Sequence, residues 1–300
     1  MIDWLLLILP GCIWGASFLF IAEGLESLAP NGVTFTRILI GFLTLSTIPA
    51  ARRPIAAADR LATAWLGVVW LAFPLSMFPF AEQHVSSALT GMLNGATALS
   101  AAAVGAILAR RLPSRAMLIG LAVGFTGAVL IAWPGVAESN PADNQALGIL
   151  LIAAALTSYG FAYNLAGPLQ QRNGALPVIW RALGVALVLT APLGIPALLH
   201  ARWKLWPLLS LLMLGAFGTA IANVLAAIAA GRMGGTTSSA TAFLIPVVAL
   251  LLGVVVRHER VEAISILGAA VCLAGAWLVR QARIDEMRGS AAVSDFSRTA

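Results

Sequence analysis

The feature that most constrains this chain is a series of long stretches without a charged residue. Eight of them reach or approach the roughly 20 residues that a helix needs to cross a bilayer: 4–22, 61–81, 85–109, 116–137, 144–171, 205–231, 233–256 and 263–279. Two more, 32–51 and 177–199, qualify if each holds one arginine inside the membrane, Arg37 and Arg181. Only 10% of the residues are charged, against about 25% in soluble domains. We therefore predict an all-α integral membrane protein with ten transmembrane helices.

Arginine and lysine are distributed unevenly between the connections. If the N-terminus is cytoplasmic, twelve of the 18 fall in cytoplasmic segments, two within the spans and four outside. The outer four are Arg202, Lys204, Arg257 and Arg260. Because basic residues accumulate on the cytoplasmic side of membrane proteins, both termini are predicted to be cytoplasmic. The net charge of +6 then reflects topology in a bacterial inner membrane, and no nucleic-acid partner is expected.

The two halves of the chain resemble each other. Shifts of 144 to 148 residues align Trp14 with Tyr159, Phe18 with Tyr163, Arg37 with Arg181, Gly105 with Gly253, Gly120 with Gly268 and Gly127 with Gly275. Each half, 4–133 and 144–281, holds five predicted spans. An odd number of spans turns the second copy over, which predicts an inverted repeat about an axis in the membrane plane. The polar segment 282–300 remains as a cytoplasmic tail that we predict to be disordered.

Pro246 lies near the centre of the ninth predicted span. A proline there removes one backbone hydrogen bond and bends the helix. Such a break is tolerated in lipid only where protein or a water-filled cavity satisfies the freed carbonyl. Inverted repeats are typical of secondary transporters that hold their substrate near the midplane, so we predict a hinge at Pro246, with a packing kink as the alternative. Its counterpart is Ala98, which predicts that the two halves bend unequally.

Several stretches of the sequence match the sequence pattern of a known protein family. They are Trp14-Gly15-x-Ser17-Phe18, Arg37, the stretch 86–112, and GTTSSATAFLIPVVALLLGVVVRHERV (235–261) with Pro246 and Glu259. Over about residues 5–280, both halves resemble one repeat of the EamA family of the drug/metabolite transporter superfamily, including its aromatic amino-acid exporter branch. The first half departs at Ala98, where proline is usual, and at Arg111, where glutamate is usual. The resemblance implies an exporter of small metabolites and leaves the substrate open.

Polar and aromatic residues near the middle of the spans are the candidates for a substrate site. Tryptophan normally gathers at membrane interfaces, yet Trp14 is the eleventh residue of 4–22. Asn94 and Thr97 share a helix face through their three-residue spacing. Singly, such residues are more often interhelical hydrogen bonds than ligand contacts, but as a set they are expected to line one cavity. The set is Trp14, Ser17, Phe18, Asn94, Thr97, Tyr159, Tyr163, Asn164, Asn223 and Phe243.

Arg37 and Arg181 are the charges inside the predicted spans. An arginine side chain can extend to the membrane surface and anchor its helix. Alternatively, the guanidinium contacts a substrate carboxylate or the carbonyls of a broken helix. Because the repeat places the two on opposite membrane faces, we predict that they act with Pro246 in gating.

The twelve acidic residues all fall in loops, chain ends or the tail. Proton relays normally need a carboxylate or histidine at membrane depth, and the nearest candidates are Glu82 and His84. We therefore expect facilitated diffusion without cofactor or metal, with proton-coupled export of drugs or other metabolites as the alternative. No catalytic motif such as H-E-x-x-H occurs, so an enzyme is not expected. A purely structural membrane protein is a weaker alternative, because it would not need an inverted repeat.

The candidate cavity combines aromatic rings with amide and hydroxyl groups and is predicted to be neutral. Amides and hydroxyls can hold the ammonium and carboxylate of a zwitterion, and each aromatic face adds about 0.5–2 kcal/mol of attraction to a cation. The predicted substrate is therefore an amino acid with an apolar or aromatic side chain. We expect a monomer whose partners are this small molecule and the lipid bilayer.

The charge distribution yields a topological prediction. A reporter that is active only outside the cytoplasm, fused to the C-terminus, should give no signal, because ten crossings return the chain to its starting side. The same reporter in the connection holding Arg202 should be active and serves as the positive control. A strong signal from the C-terminal fusion would contradict the even number of crossings.

Overall fold

The computed structural model describes residues 2–110, 112–137, 145–257 and 262–299. The described residues form ten helical segments, numbered α1 to α10 in chain order. Six are continuous: Ile2–Leu25 (α1), Pro30–Ser46 (α2), Arg115–Ala137 (α5), Gln145–Asn173 (α6), Ala175–Leu199 (α7) and Ala263–Thr299 (α10). Arg111, Glu259, Arg260 and positions 144 and 300 lie outside the described residues.

The other four segments change helix type along their length. Segment α3 comprises Arg60–Leu66, Gly67–Ala72 and Phe73–Ala81, and α4 comprises Ser87–Leu93, Asn94–Ala96 and Thr97–Ala109. Segment α8 comprises Leu205–Met213, Leu214–Ile221 and Ala222–Met233, and α9 comprises Gly235–Ser239, Ala240–Phe243 and Leu244–Arg257. Two 3-10 turns, Pro49–Arg52 and Ala57–Asp59, connect α2 to α3.

Six helices within the described residues are long and apolar enough to cross a membrane. They are Ile2–Leu25, Ala57–Ala81, Leu89–Ala109, Ala146–Asn173, Ala175–Leu199 and Leu205–Met233. Shorter apolar helices cover Arg115–Leu130, Gly235–Ala249 and Ile266–Val279. The second segment, α2, has 17 residues and includes Arg37. These lengths support a multi-pass helical membrane protein, and the full count of ten crossings stays a prediction.

Helical irregularities recur at corresponding places in the two halves. π-helical turns occupy Gly67–Ala72 in α3 and Leu214–Ile221 in α8, and their first residues are 147 apart. 3-10 turns occupy Asn94–Ala96 in α4 and Ala240–Phe243 in α9, with first residues 146 apart. Both spacings lie within the shifts of 144 to 148 that align the two halves of the sequence. The repeat is therefore visible in the backbone as well as in the residues.

The break in α9 lies just before Pro246, the third residue of Leu244–Arg257. Because proline has no backbone N–H, it cannot bond to the carbonyl of Ala242 four residues earlier, which lies inside the 3-10 turn. Helix α4 also contains a 3-10 turn, although no proline follows it, and the unequal bending predicted from Ala98 stays a prediction. The two breaks face each other: a Cβ on Gly95 would lie 3.6 Å from Pro246 Cγ. The break in α4 thus coincides with the place where the two helices meet.

Helix packing follows the same order in both halves. Helix α1 packs on α8 and α9, and its counterpart α6 packs on α3 and α4. Helix α2 contacts the π-helical turn of α8, and α7 contacts that of α3. Counterparts also pair directly, α2 with α7, α4 with α9 and α5 with α10. These contacts of the first half therefore recur between the counterpart helices of the second.

Close backbone approach joins α5 to α10. A Cβ on Gly127 would lie 2.4 Å from the backbone nitrogen of Cys272, and a Cβ on Gly275 would lie 2.3 Å from the Cα of Gly124. Neither position has room for a side chain, because the neighbouring atoms belong to the backbone. Small residues that permit such contacts are the usual basis of helix association in lipid.

Two ion pairs occupy corresponding positions with their charges exchanged. Arg172, near the end of α6, donates two hydrogen bonds of 3.0 and 2.7 Å to the carboxylate of Asp59. Lys204 Nζ lies 3.1 Å from Glu26 Oε2, just beyond α1. Arg172 follows Glu26 by 146 residues and Lys204 follows Asp59 by 145. The Lys204–Glu26 pair is more than half exposed, so it contributes little to stability.

The last helix is longer than the sequence predicts. The expected tail over 282–300 is disordered, whereas α10 continues as a helix to Thr299. No proline interrupts 282–299, and its alanine, arginine, glutamate and methionine residues have high helix propensity. The described part of the segment is thus helical to Thr299, and the predicted disorder and cytoplasmic location of the segment stay predictions.

Candidate substrate cavity

A cavity between the helices is the candidate functional site. Side chains from α1 to α4, α6, α8 and α9 surround it. The lining residues are Trp14, Ser17, Phe18, Ile21, Arg37, Trp70, Leu75, Phe78, Asn94, Thr97, Tyr159, Tyr163, Asn223, Ala242 and Ile245. Most of these side chains are almost fully buried, so the cavity is enclosed by the bundle.

Aromatic rings in contact form much of the wall. Phe78 packs edge-to-face against Phe18, with ring centroids 5.5 Å apart. The ring of Phe78 also contacts that of Tyr159, with centroids 5.9 Å apart. Trp70 and Tyr163 form a second pair at 5.3 Å. These separations are typical of favourable aromatic contacts. The wall therefore joins α1, α3 and α6 through rings that fix one another's positions.

Hydrogen bonds hold the polar lining residues in place. Thr97 Oγ1 donates to Asn94 Oδ1 at 2.7 Å, so both side chains of the predicted α4 face are oriented together. Asn223 Nδ2 donates to the carbonyl of Thr219 at 2.6 Å. Ser17 Oγ donates to the carbonyl of Ile13 at 2.9 Å. Because Asn94 and Asn223 keep amide groups in the cavity lining, the site combines hydrogen-bonding groups with an aromatic wall.

The π-helical turns take part in this arrangement. Trp14 Nε1 donates to the carbonyl of Gly218, in the turn of α8, at 2.9 Å. In the other half, Ser158 Oγ donates to the carbonyl of Val69, in the turn of α3, at 2.7 Å. A π-helical turn disturbs the regular ladder of backbone bonds, and such carbonyls need a donor inside a membrane protein. Helices α1 and α6 thus each supply a donor to the turn of the other half.

Arg37 is the charged group in the cavity lining. It is 2% exposed, and its Nε donates to Thr219 Oγ1 at 3.0 Å. Among the described residues, this is the hydrogen bond that the Arg37 guanidinium makes. The side chain therefore does not extend to the membrane surface, and the prediction of a neutral cavity is corrected. The reason is the hydroxyl of Thr219, which turns the guanidinium toward the centre of the bundle.

Glu82 lies closer to this centre than a solvated turn would place it. It follows α3 directly, and both of its carboxylate oxygens are buried. The carboxylate also lies within electrostatic range of Arg37. None of the described residues that line the cavity is acidic, so Glu82 is a neighbour of the site and is not part of its wall.

The structure brings together eight of the ten predicted substrate residues. Trp14, Ser17, Phe18, Asn94, Thr97, Tyr159, Tyr163 and Asn223 all line the cavity. Asn164 does not, because its amide donates to the carbonyls of Ala101 and Gly160, both at 2.9 Å. Phe243 is also absent from the lining, because its ring lies over Gly124 of α5.

The three residues assigned to gating separate in space. Arg37 lines the cavity, and Pro246 lies beside its lining residue Ile245. Arg181 lies outside the cavity, where its Nη1 donates to the carbonyl of Pro177 and its guanidinium covers the ring of Trp180 at 5.4 Å. The two arginines therefore do not form a matched pair around one site.

Helix α3 contributes residues to the cavity that the sequence pattern did not single out. Trp70, Leu75 and Phe78 line the cavity, but no residue of α3 was among the candidates. The position of Trp70 gave a signal: it is the tenth residue of the charge-free run 61–81, where an interfacial tryptophan is not expected. The same criterion had selected Trp14.

A helical membrane protein whose two halves repeat the same broken helices around an enclosed polar cavity has the features of a membrane transporter. Residues 2–133 and 146–281 match the EamA-like transporter family, so the chain belongs to that family. Its members are transporters and not enzymes. The two matches coincide closely with the two halves seen in the packing of the helices.

One curated relative and one solved structure are similar to nearly the whole chain. A protein of Streptantibioticus cattleyicolor described as a "probable terminal-alkyne amino-acid exporter" is 26% identical over 288 residues, which are 94% of this chain and 94% of that protein. A solved crystal structure described only as that of a protein is 18% identical and has a TM-score of 0.71, covering 91% of this chain and 94% of that chain. At that identity, the second similarity shows the fold alone.

The break in α9 generates a prediction about motion. Pro246→Ala restores a backbone N–H that can bond to the carbonyl of Ala242, which should stiffen α9 beside the cavity and slow transport several-fold. Transport into or out of proteoliposomes measures the rate, and the purified yield checks folding. Pro192→Ala removes an exposed proline within α7 and should leave the rate unchanged. An unaltered rate for Pro246→Ala would reduce this proline to a packing role.

Proposed function

We propose that this protein exports amino acids with apolar or aromatic side chains across the bacterial inner membrane by alternating access. The observation that carries the proposal is the cavity itself, in which the buried guanidinium of Arg37 shares one enclosed space with an aromatic wall and two amide side chains. Such a combination matches a molecule with one carboxylate, one ammonium group and an apolar side chain.

The carboxylate of the substrate binds Arg37 in this proposal. A guanidinium presents several N–H donors in a plane that suits a carboxylate, and the bond from Nε to Thr219 leaves the two terminal nitrogens to face a ligand. Enclosure strengthens the interaction, because charges attract more strongly away from water. Thr219 has a positioning role, since its hydroxyl fixes the direction of the guanidinium.

The ammonium group and the side chain of the substrate use the remaining lining. Amide oxygens of Asn94 and Asn223 can accept hydrogen bonds from an ammonium group, and the face of Tyr159 or Trp14 attracts a cation. The rings of Phe18 and Phe78 offer an apolar surface to the side chain. A sugar phosphate fits less well, because one guanidinium is a weak match for a doubly charged group.

The exporter from Streptantibioticus cattleyicolor supports this substrate class. Its described substrate is an amino acid that ends in an alkyne, which is a small apolar group. The similarity extends over nearly the whole of both chains. We therefore extend amino-acid export to this chain, with the side-chain preference set by the aromatic wall.

Ten crossings, arranged as two inverted repeats with both termini in the cytoplasm, form the structural part of the proposal. The paired helix contacts, the recurring turns and the exchanged ion pairs support it. Each described ion pair joins residues that this topology places on one membrane face: Asp59 with Arg172 and Asp3 with Arg232 inside, and Glu26 with Lys204 outside. Transport would then proceed by motion of helices around a site near the midplane.

Substitution of Arg37 tests the substrate class. In proteoliposomes loaded with labelled phenylalanine, Arg37→Gln should raise the KM for efflux about ten- to a hundredfold, because a hydrogen bond to a charged group contributes about 1.5–3 kcal/mol. Arg37→Lys keeps the charge but loses the planar pair of donors. Its KM should therefore lie between those of wild type and Arg37→Gln. Arg53→Gln, at an exposed position in the connection after α2, should behave as wild type.

A substrate analogue separates this role from a structural one. Wild-type protein should transport phenylalanine much better than phenethylamine, which lacks the carboxylate, and Arg37→Gln should largely lose that preference. Equal discrimination by wild type and Arg37→Gln would contradict carboxylate binding at Arg37. Transport of sugar phosphates alone would contradict the amino-acid proposal altogether.

Facilitated diffusion is the proposed energetics, because no acidic residue lines the cavity among those described. Efflux down a concentration gradient should then proceed at the same rate with and without an imposed pH gradient. The buried carboxylate of Glu82 near Arg37 is the observation that favours the proton-coupled alternative. Efflux that requires a pH gradient in wild type, and that loses this requirement in Glu82→Gln, would establish the alternative and contradict diffusion.

A further inference from the structure

A second cavity opens between α2, α3 and α7, away from the enclosed site. Its lining residues are Phe42, Pro54, Ile55, Arg60, Thr63, Ala64, Trp180, Arg181, Gly184, Val185, Val188 and Leu189. Val188 and Leu189 are 72% and 53% exposed. Because these apolar side chains point away from the bundle, the groove opens toward the hydrocarbon that surrounds a membrane protein.

Aromatic stacking and a hydrogen bond fix the side chains at the base of this groove. Trp180 stacks on Phe42, with ring centroids 5.3 Å apart and planes 20° from parallel, and its Nε1 donates to Ser46 Oγ at 2.8 Å. Gly184 adds depth, since a Cβ there would reach the ring of Phe42 at 3.4 Å without displacing backbone. The groove is thus a preformed furrow along α7.

Two arginines lie in the same groove. Arg60 begins α3 and is exposed, and Arg181 is held by its bond to the carbonyl of Pro177 and its position over Trp180. Neither arginine belongs to an ion pair among the described residues, and the lining contains no acidic side chain. A furrow with two cations and no anion has an unbalanced positive charge.

The charged part and the apolar part of the groove lie one after the other along the axis of α7. Val188 lies seven residues beyond Arg181, about 10 Å along the helix at the usual rise. The charged part of the groove therefore lies toward the beginning of α7, and the apolar part lies farther along the helix. A phospholipid has the same order, with a phosphate at one end and an acyl chain extending from it.

We propose that this groove binds one anionic phospholipid. Its phosphate contacts Arg60 and Arg181, and one acyl chain lies along Val185, Val188 and Leu189. Basic pockets between membrane helices on the cytoplasmic side are recognised places for anionic headgroups. This site is independent of the substrate cavity, and it gives Arg181 a role in lipid binding, distinct from gating.

Lipid titration of the full-length protein tests the proposal. Protein purified in detergent is stripped of lipid and titrated with phosphatidylglycerol, or with phosphatidylcholine of the same acyl chains, while native mass spectrometry and thermal unfolding report binding. Phosphatidylglycerol should bind at least about tenfold more tightly and raise the unfolding temperature more. Arg60→Gln combined with Arg181→Gln should remove this difference. Equal binding of the two lipids to wild type would overturn the proposal.

Two further variants separate a built site from general attraction. Arg52→Gln with Arg53→Gln removes the same charge from the neighbouring connection and should preserve the preference for phosphatidylglycerol, whereas a loss as large as that of the groove variant would contradict the proposal. Gly184→Leu fills the furrow and should weaken the binding of both lipids while both arginines remain. Inorganic phosphate should give no stabilisation, and an effect equal to that of the lipid would indicate a soluble-anion site and overturn lipid binding.

Discussion

Satisfaction of backbone carbonyls at irregular helical turns is the constraint on which the rest of this structure depends. Inside a bilayer no water can bond to a carbonyl that leaves the helical ladder, and each unsatisfied group costs several kcal/mol. Helices α3, α4, α8 and α9 all contain such turns. Donors from other helices must therefore reach them, and Trp14 and Ser158 do so from the two counterpart helices α1 and α6.

These donors also determine where the cavity forms. A π-helical turn widens the helix locally, and the donor that binds it draws the first helix of the opposite half against it. Trp14, whose ring lines the cavity, is fixed in this way by α8. The same turn of α8 carries Thr219, which orients Arg37. One irregular turn therefore positions both an aromatic wall and the charged group of the site.

The sequence was sufficient to predict most of the polar and aromatic residues that line the candidate cavity. Charge-free runs identified the helices, and polar or aromatic residues at mid-span identified eight of the lining residues. Asn164 was misplaced because it follows Tyr163 by one residue, which rotates it about 100° around the helix and away from the face shared by Tyr159 and Tyr163. Phe243 was misplaced for a related reason, since it ends a 3-10 turn that the helical pattern does not reveal.

Contacts between residues far apart in the chain could not be predicted from the sequence. The bond between Arg37 and Thr219 joins residues 182 positions apart, and no local pattern distinguishes it from an arginine that reaches the membrane surface. The ion pairs Glu26–Lys204 and Asp59–Arg172 likewise cannot be predicted from the sequence alone, because each joins segments that only the fold brings together. Arg37 and Arg181 occupy aligned positions in the two halves, yet Arg37 bonds to a side chain of the opposing π-helical turn and Arg181 bonds to a carbonyl of its own helix.

That difference explains how one repeated scaffold produces two environments. Burial of a guanidinium without a hydrogen-bonding partner costs several kcal/mol. With the hydroxyl of Thr219 opposite, Arg37 points inward, whereas Arg181 lies outside the cavity with its guanidinium over Trp180. Arg37 is thus the one charged residue of the cavity lining that the structure describes, and under the proposed function a zwitterion takes a defined orientation with its carboxylate toward this residue.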